Sequence, residues 1–255
     1  MGVKKLFDLS GRHALVTGGS RGLGLQIAEA LIEMGAKVAI TARKKDELEE
    51  ARKHLGSSCF TFASDIGKRE GIAPLADDVI RQCGRIDILV NNAGATWGSP
   101  AEDHPLDAWD KLMNVNLTGL FLLSQQVAKK CMIPAKWGRI VNVASIAGLL
   151  GQDPRFAPTA AYTATKHGVV GLTRQLAAEW GKYGITVNAI CPGFFPSKMT
   201  RATLATTGEL VKEWTPTRNL GNDEDLKGLA VLLASDAGRH ISGQAIAVDG
   251  GASAI

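Results

Sequence analysis

From His13 onward the chain alternates short apolar runs with longer stretches in which apolar residues recur at helical spacing. The short runs are Ala14–Thr17, Lys37–Thr41, Cys59–Ala63, Ile86–Val90, Arg139–Ala144, Ile185–Ile190 and Gln244–Val248. Most are rich in Val and Ile and carry little polar alternation, as strands buried on both faces do. Between them lie Gly24–Met34, Lys44–Leu55, Lys68–Cys83, Leu106–Cys131, Thr159–Tyr183 and Asp223–Ser235, each patterned as an amphipathic helix. Strands separated by helices predict βαβ units and a parallel sheet covered on both sides. Right-handed crossovers then wind it doubly. The expected fold class is α/β, with a seven-stranded parallel sheet. No linker, repeat or low-complexity segment interrupts the pattern, so residues 1–255 read as a single domain.

Two segments depart from the alternation. One runs from Ser145 to Tyr162, where Pro154 and Pro158 block a helix. The other runs from Phe194 to Leu220, where Pro196 and Pro216 flank short helical pieces. Both follow a strand, and open parallel sheets bind ligands beyond the carboxyl ends of their strands. They are therefore the expected substrate walls, with residues 194–220 as a lid. The first wall offers Asp153, Pro154, Arg155, Phe156 and Pro158, with Arg155 read as a solvated loop residue. The second offers Phe194, Phe195, Met199, Leu204 and Trp214 with interleaved cations, and Trp97 is expected to face the same space.

Composition narrows the function classes. Apolar residues make up 45% and charged residues 21%, ordinary values for a globular chain with a sizeable core. The net charge of +4 is too small to argue for nucleic acid. No run approaches about 18 apolar residues, and Met1–Lys5 is not followed by an apolar h-region. Neither a secretory signal nor a membrane span is expected, and the location read from the sequence is cytoplasmic. The four cysteines are scattered, without ligand spacing for a metal, and read as buried free thiols in a reducing compartment.

Candidate chemistry enters with Tyr162-x-x-x-Lys166. On a helix these side chains share a face, with Cβ atoms about 5–6 Å apart. A free Tyr has a pKa of about 10, and a neighbouring ammonium lowers it towards use in proton transfer. Ser145, ending an apolar run, is placed to hold a substrate oxygen. The second candidate is Thr17-Gly18-Gly19-Ser20-Arg21-Gly22-Leu23-Gly24, between the first strand and the first helix. Glycines there permit close backbone approach, and a helix N-terminus offers N–H groups to a pyrophosphate. The spacing is G-x-x-x-G-x-G rather than G-x-G-x-x-G. An NAD site would carry an acid at the end of the second strand. Here that strand ends Thr41-Ala42-Arg43-Lys44. Arg43 can pair with a 2′-phosphate, and Arg21 can approach the same group. The cofactor reading is NADP(H), with NAD(H) as the lesser alternative.

Together these residues resemble the classical short-chain dehydrogenases/reductases, single-domain Rossmann enzymes. The likeness rests on T-G-G-S-R-G-L-G at 17–24, Asp65, N-N-A-G at 91–94, Asn116 in N-V-N, Ser145, Y-T-A-T-K at 162–166, P-G at 192–193 and the terminal I-S-G-Q-A-I-A-V-D-G-G. It implies a catalytic tetrad of Asn116, Ser145, Tyr162 and Lys166, with Asn116 anchoring a water on the proton path to Lys166. It also implies cofactor contacts from the glycine loop (Gly18, Ser20, Arg21, Gly22, Leu23, Gly24) and from Arg43. Asp65 would take the adenine amino group with Ile66 beside the ring, and Asn92, Ala93 and Gly94 would line the adenosine ribose. Tyr162 and Lys166 would reach the nicotinamide ribose, and Pro192 and Gly193 would lie against the nicotinamide. Ser197 stands where the family usually has Thr for the carboxamide.

The resulting expectation is an NADPH-dependent reductase of ketones or 3-oxoacyl thioesters, with a small-molecule substrate. The rival within the class is an NAD(P)-dependent polyol or sugar-acid dehydrogenase similar to gluconate 5-dehydrogenase. A dinucleotide-binding regulator without catalysis is a third reading, disfavoured because Ser145, Tyr162 and Lys166 are all present. The resemblance further implies a homotetramer, formed through the helices bearing Asn116 and Tyr162 and the last strand.

Overall fold

The computed structural model describes residues 2–153, 155–156 and 158–255. All seven expected runs are strands: β1 (His13–Thr17), β2 (Lys37–Ala42), β3 (Cys59–Ala63), β4 (Ile88–Asn91), β5 (Gly138–Val143), β6 (Ile185–Pro192) and β7 (Ala245–Val248). They pair in parallel in the order β3-β2-β1-β4-β5-β6-β7. The helices are α1 (Val3–Leu6), α2 (Gly22–Glu33), α3 (Lys45–Leu55), α4 (Ile72–Cys83), α5 (Leu106–Met113), α6 (Gly119–Val127), α7 (Ile133–Ala135), α8 (Ala160–Trp180), α9 (Arg201–Trp214) and α10 (Lys227–Ala234).

Strand side chains alternate between two cores. Val16, Ile40, Val90 and Val141 pack beneath α2, α3 and α10, against Ile27, Leu31, Leu48 and Leu233. Leu15, Ala39, Leu89 and Ile140 face the other layer, against Leu75 of α4, Leu123 of α6 and Leu176 of α8. This is the doubly wound Rossmann arrangement expected from the apolar runs.

Three details differ from the sequence reading. The stretch Leu106–Cys131 winds without a break but is not all α-helical, because Asn114–Thr118 and Ala128–Met132 are π turns. An i→i+5 turn takes in one extra residue, and the first of these carries Asn116 inward, where it is 1% exposed. The segment after β6 holds α9, a regular helix of 14 residues rather than short pieces. Its Thr-rich sequence has weak helix propensity, and buried Val211 ties it to the body of the protein. Phe195, read as a wall residue, is instead buried in the first core, with its ring against Gly221. Burial of so large an aromatic outweighs exposure on a wall.

A buried polar chain fixes the layers to one another. Asn91 at the end of β4 donates to Asn142 of β5 and to Ser124 of α6, each at 2.9 Å. Asn142 in turn donates to Thr173 of α8 at 2.9 Å. All four residues are buried, and such groups are costly to leave unpaired. The chain therefore sets the height of α6 and α8 over the sheet. Asn142→Leu keeps the volume and removes the central link. It is expected to lower unfolding stability by about 2 kcal/mol, measured by urea denaturation. A loss within experimental error would show that the helices are held by apolar packing alone.

Candidate active site

β1 and β4 are neighbours whose crossovers leave in opposite directions, so a crevice opens beyond their carboxyl ends. Its floor is stitched by hydrogen bonds. The Thr17 hydroxyl accepts from the backbone N–H groups of Asn92 (3.0 Å) and Ala93 (2.9 Å). The Asn92 side chain donates back to the carbonyls of Thr17 (2.9 Å) and Gly18 (3.1 Å). Gly94 follows directly, beside the Asn116 carboxamide and the Lys166 ammonium.

The glycine loop lies over this floor. Gly18 and Gly22 have positive φ (64° and 53°), which L side chains rarely adopt. A Cβ on Gly24 would stand 2.3 Å from the Gly18 carbonyl oxygen, so only glycine lets α2 start this close to β1. Arg21 precedes α2 without a side-chain cap, which leaves the first N–H groups of the helix facing the crevice. Ser20 and Leu23 are half-buried in the same turn, Leu23 packing on the first core. Bare N–H groups, a cradle with no room for a Cβ and the helix dipole fit a pyrophosphate.

At the adenosine end the charges are arranged differently from the expectation. Arg43 is exposed at the end of β2, with no carboxylate beside it in sequence. Arg21 is not free, because its Nη1 lies 2.8 Å from Glu47 Oε1, and Lys44 Nζ lies 3.3 Å from the same oxygen. Asp65, just past β3, caps its own turn by accepting from the Gly67 N–H at 3.0 Å. Ile66 is buried in the second core.

Ser145, Tyr162 and Lys166 converge at the end of β5. Ser145 starts a short 3-10 turn, and its Oγ accepts from the Ala147 N–H at 3.2 Å. That leaves the hydroxyl proton to be donated elsewhere. A Cβ on Gly148 would stand 2.6 Å from the Lys166 carbonyl, so this glycine brings the turn against α8. Lys166 Nζ lies 5.5 Å from the Tyr162 ring centroid and donates to the Val143 carbonyl at 2.8 Å.

The electrostatics run against the simple sequence picture, in which Lys166 lowers the Tyr162 pKa. Burial raises the Tyr162 phenol above its ordinary value, with the Ser145 side chain pulling the other way. Burial also pushes the Lys166 ammonium down to about 8. Cys191, below the pair at the end of β6, is a buried thiol pushed up to about 11. Asn116 Nδ2 donates to the Ala95 carbonyl (2.9 Å) and to Thr165 (3.0 Å), while its Oδ1 accepts from the Ala95 N–H (2.8 Å). The side chain thus ties the loop after β4 to α8.

Around this group lie the walls. Pro192 is buried at the end of β6, and Gly193 runs so near Asp249 that a Cβ would meet it at 2.8 Å. The Ser197 hydroxyl pairs with Thr200 at 3.0 Å. Phe156, 6% exposed, stacks edge-on against Phe194 (5.5 Å between centroids) and tilts against Trp214 of α9 (5.3 Å). Thr159 pairs with Ser99 in a parallel bridge. Arg155 is exposed and paired with Asp153. Pro154 lies outside the described residues, and Trp97 is largely exposed. Sequence reasoning missed Thr17, Glu47, Gly148 and Thr165. Of these, only Thr17, standing directly before the glycines, carried a local signal.

Comparison with known proteins agrees with this architecture. The short chain dehydrogenase family model matches residues 12–208. Gluconate 5-dehydrogenase of Gluconobacter oxydans is 38% identical over 253 residues, covering 96% of each chain. A 3-oxoacyl-[acyl-carrier-protein] reductase of Staphylococcus epidermidis is 38% identical over 244 residues, covering 94% of this chain and 98% of its own. Among solved structures, a gluconate 5-dehydrogenase from Burkholderia cenocepacia, in complex with NADP and tartrate, superposes with a TM-score of 0.92 at 34% identity over the full length of both chains. With the glycine crevice and the Ser145, Tyr162 and Lys166 cluster on one sheet rim, these matches identify the chain as a member of the short-chain dehydrogenase family of NAD(P)-dependent oxidoreductases.

Proposed function

We propose that the protein is an NADPH-dependent reductase of ketones, 3-oxoacyl thioesters among them, giving secondary alcohols reversibly. The carrying observation is that Ser145, Tyr162 and Lys166 meet at the end of β5 beside a crevice whose adenosine end bears Arg43 and no acid at the close of β2. The NADP in the Burkholderia structure supports the same cofactor. Bound in its reduced form, the cofactor would supply the hydride for the carbonyl carbon and leave as its oxidised form. Gly18, Gly22 and Gly24 with the start of α2 hold its pyrophosphate, and Arg43 together with Arg21 its 2′-phosphate. Asp65, Ile66, Asn92, Ala93 and Gly94 flank the adenosine. Pro192, Gly193 and Ser197 flank the nicotinamide. Tyr162 donates its proton to the carbonyl oxygen, and Ser145 hydrogen-bonds that oxygen and stabilises the developing alkoxide. A phenol raised by burial stays protonated at neutral pH, which suits the reducing direction. Lys166 holds the nicotinamide ribose, and Asn116, which ties the loop after β4 to α8, anchors a water on the proton path to Lys166.

A second reading, oxidation of a sugar acid or polyol, is favoured by the Gluconobacter relative. The aromatic wall of Phe156, Phe194 and Trp214 speaks for the ketone reading. Residues 194–220 act as the lid, and Phe156 from the Ser145–Tyr162 wall is buried beneath it against Phe194 and Trp214. We infer a cytoplasmic homotetramer. An apolar groove between α6 and α8, lined by Leu117, Phe121, Gly168 and Leu172, supports burial against a second copy. Among the described residues no helix is long and apolar enough to cross a membrane.

Three measurements test this reading. A panel of 3-oxoacyl thioesters, aryl ketones and keto-sugar acids, each with NADPH and NADH, is expected to give the highest kcat/KM for a ketone or thioester with NADPH. A keto-sugar acid ahead of both would favour the second reading, and strong NADH preference would overturn the cofactor assignment. Tyr162→Phe keeps the ring and is expected to lower turnover by about 10²–10⁴-fold, far more than it weakens NADPH binding followed by fluorescence. Near-normal turnover would remove Tyr162 from the mechanism.

The third measurement concerns Lys166. Its folded pKa of about 8 lies below the ordinary 10.5, so its charge opposes folding below pH 8. That opposition fades as pH rises from 8 to 10.5. Wild type is therefore expected to gain about 3 kcal/mol relative to Lys166→Met between pH 7 and pH 10.5. A pH-independent stability difference in denaturant titrations would contradict the buried-ammonium picture.

A further inference from the structure

We propose that Glu47 is a specificity-determining residue that weakens the preference for a 2′-phosphorylated adenosine ribose by holding a cation the phosphate needs. The proposal rests on the reading that Arg21 and Arg43 are the phosphate ligands.

Glu47 lies in the first turn of α3, and a single oxygen, Oε1, takes both Arg21 Nη1 (2.8 Å) and Lys44 Nζ (3.3 Å). Arg21 stands just before α2 and Lys44 just before α3. The ion pairs therefore span from the glycine loop to the turn after β2, the place where a dinucleotide fold receives the adenosine ribose. The carboxylate is the better shielded partner, since the Glu47 side chain is 22% exposed against 49% for Arg21 and 59% for Lys44. The cations can swing outward into solvent while the carboxylate stays with its helix. Asp46 already places a negative charge in that helical turn, so α3 does not depend on Glu47 for its dipole.

Two consequences follow for a ribose phosphate. It must draw Arg21 away from Glu47 to form a charge-assisted, forked pair. It must also remain near a carboxylate that repels it. An unphosphorylated ribose meets neither obstacle, because the Arg21–Glu47 pair stays closed beside it. Arg43 carries no such partner among the described residues and is left as the unopposed phosphate ligand. Glu47 thus narrows the gap between the two cofactors by taxing only the phosphorylated one.

The test uses isothermal titration calorimetry on the intact protein, without substrate or turnover, with 2′,5′-ADP and 5′-AMP as probes. Glu47→Gln keeps the side-chain length and removes the charge. It is expected to bind 2′,5′-ADP about fivefold more tightly than wild type, the size of one unit charge acting across a partly solvated gap, with 5′-AMP affinity unchanged. In an Arg21→Gln background the same substitution should give a clearly smaller gain, because the carboxylate then has no arginine to release. Equal or weaker 2′,5′-ADP binding by Glu47→Gln overturns the proposal, as does an undiminished gain in the Arg21→Gln background. A different outcome separates the underlying reading. If wild type binds 2′,5′-ADP no better than 5′-AMP, and Arg43→Ala changes neither affinity, the phosphate site itself is refuted.

Discussion

The seam between β1 and β4 is the constraint on which the rest of the site depends. At that seam the two halves of the winding diverge, and nothing in a parallel ladder holds their ends together beyond the last strand pair. Here the Thr17 hydroxyl and the Asn92 carboxamide close the gap with four hydrogen bonds. The loop after β4 is thereby locked under the glycine turn, and Asn116 then grips the same loop one residue past Gly94. The buried chain through Asn91 and Asn142 extends the lock to α6 and α8. The glycine crevice and the Ser145, Tyr162 and Lys166 cluster share one rigid frame for this reason.

Within that frame, burial and charge pull against each other. Tyr162 and Lys166 sit close enough for the ammonium to favour a phenolate, yet both are drawn out of water, and desolvation disfavours the charged form of each. The pair is consequently poised near a neutral phenol and a weakened ammonium. Ser145 is the group that moderates this, through its link to the phenol.

Much of this was legible in the sequence, for identifiable reasons. Strands buried on both faces have to be apolar throughout, so runs such as Val38–Thr41 and Ile185–Ile190 stand out from amphipathic neighbours. Ser145, Tyr162 and Lys166 were readable because their spacing puts two of them on one helix face and the third at a strand end. Features set by long-range contact were not. Glu47 lies among alternating charges that look like any solvated helix face, and only the approach of Arg21, 26 positions earlier, distinguishes it. Phe156 lies two residues from a proline on either side and Phe195 directly precedes Pro196, both in loop-like sequence, and their burial depends on Trp214 and Gly221 arriving from elsewhere. The direction of the Tyr162 shift was misread because local spacing reports a neighbouring charge but not the depth at which it acts.

The π turn at Asn114–Thr118 bears on how this crossover can vary in length. A turn that closes i→i+5 carries one residue more than the α-helix around it. Removing a single residue there would return the segment to ordinary winding while leaving α6, with Leu123 and Val127, on its present face of the sheet. The inward aim of Asn116 would be lost, and with it the tie from Ala95 to Thr165. The helix is in this sense one residue too long for its architecture. That surplus residue is the part of the crossover that turns Asn116 toward Ala95 and Thr165.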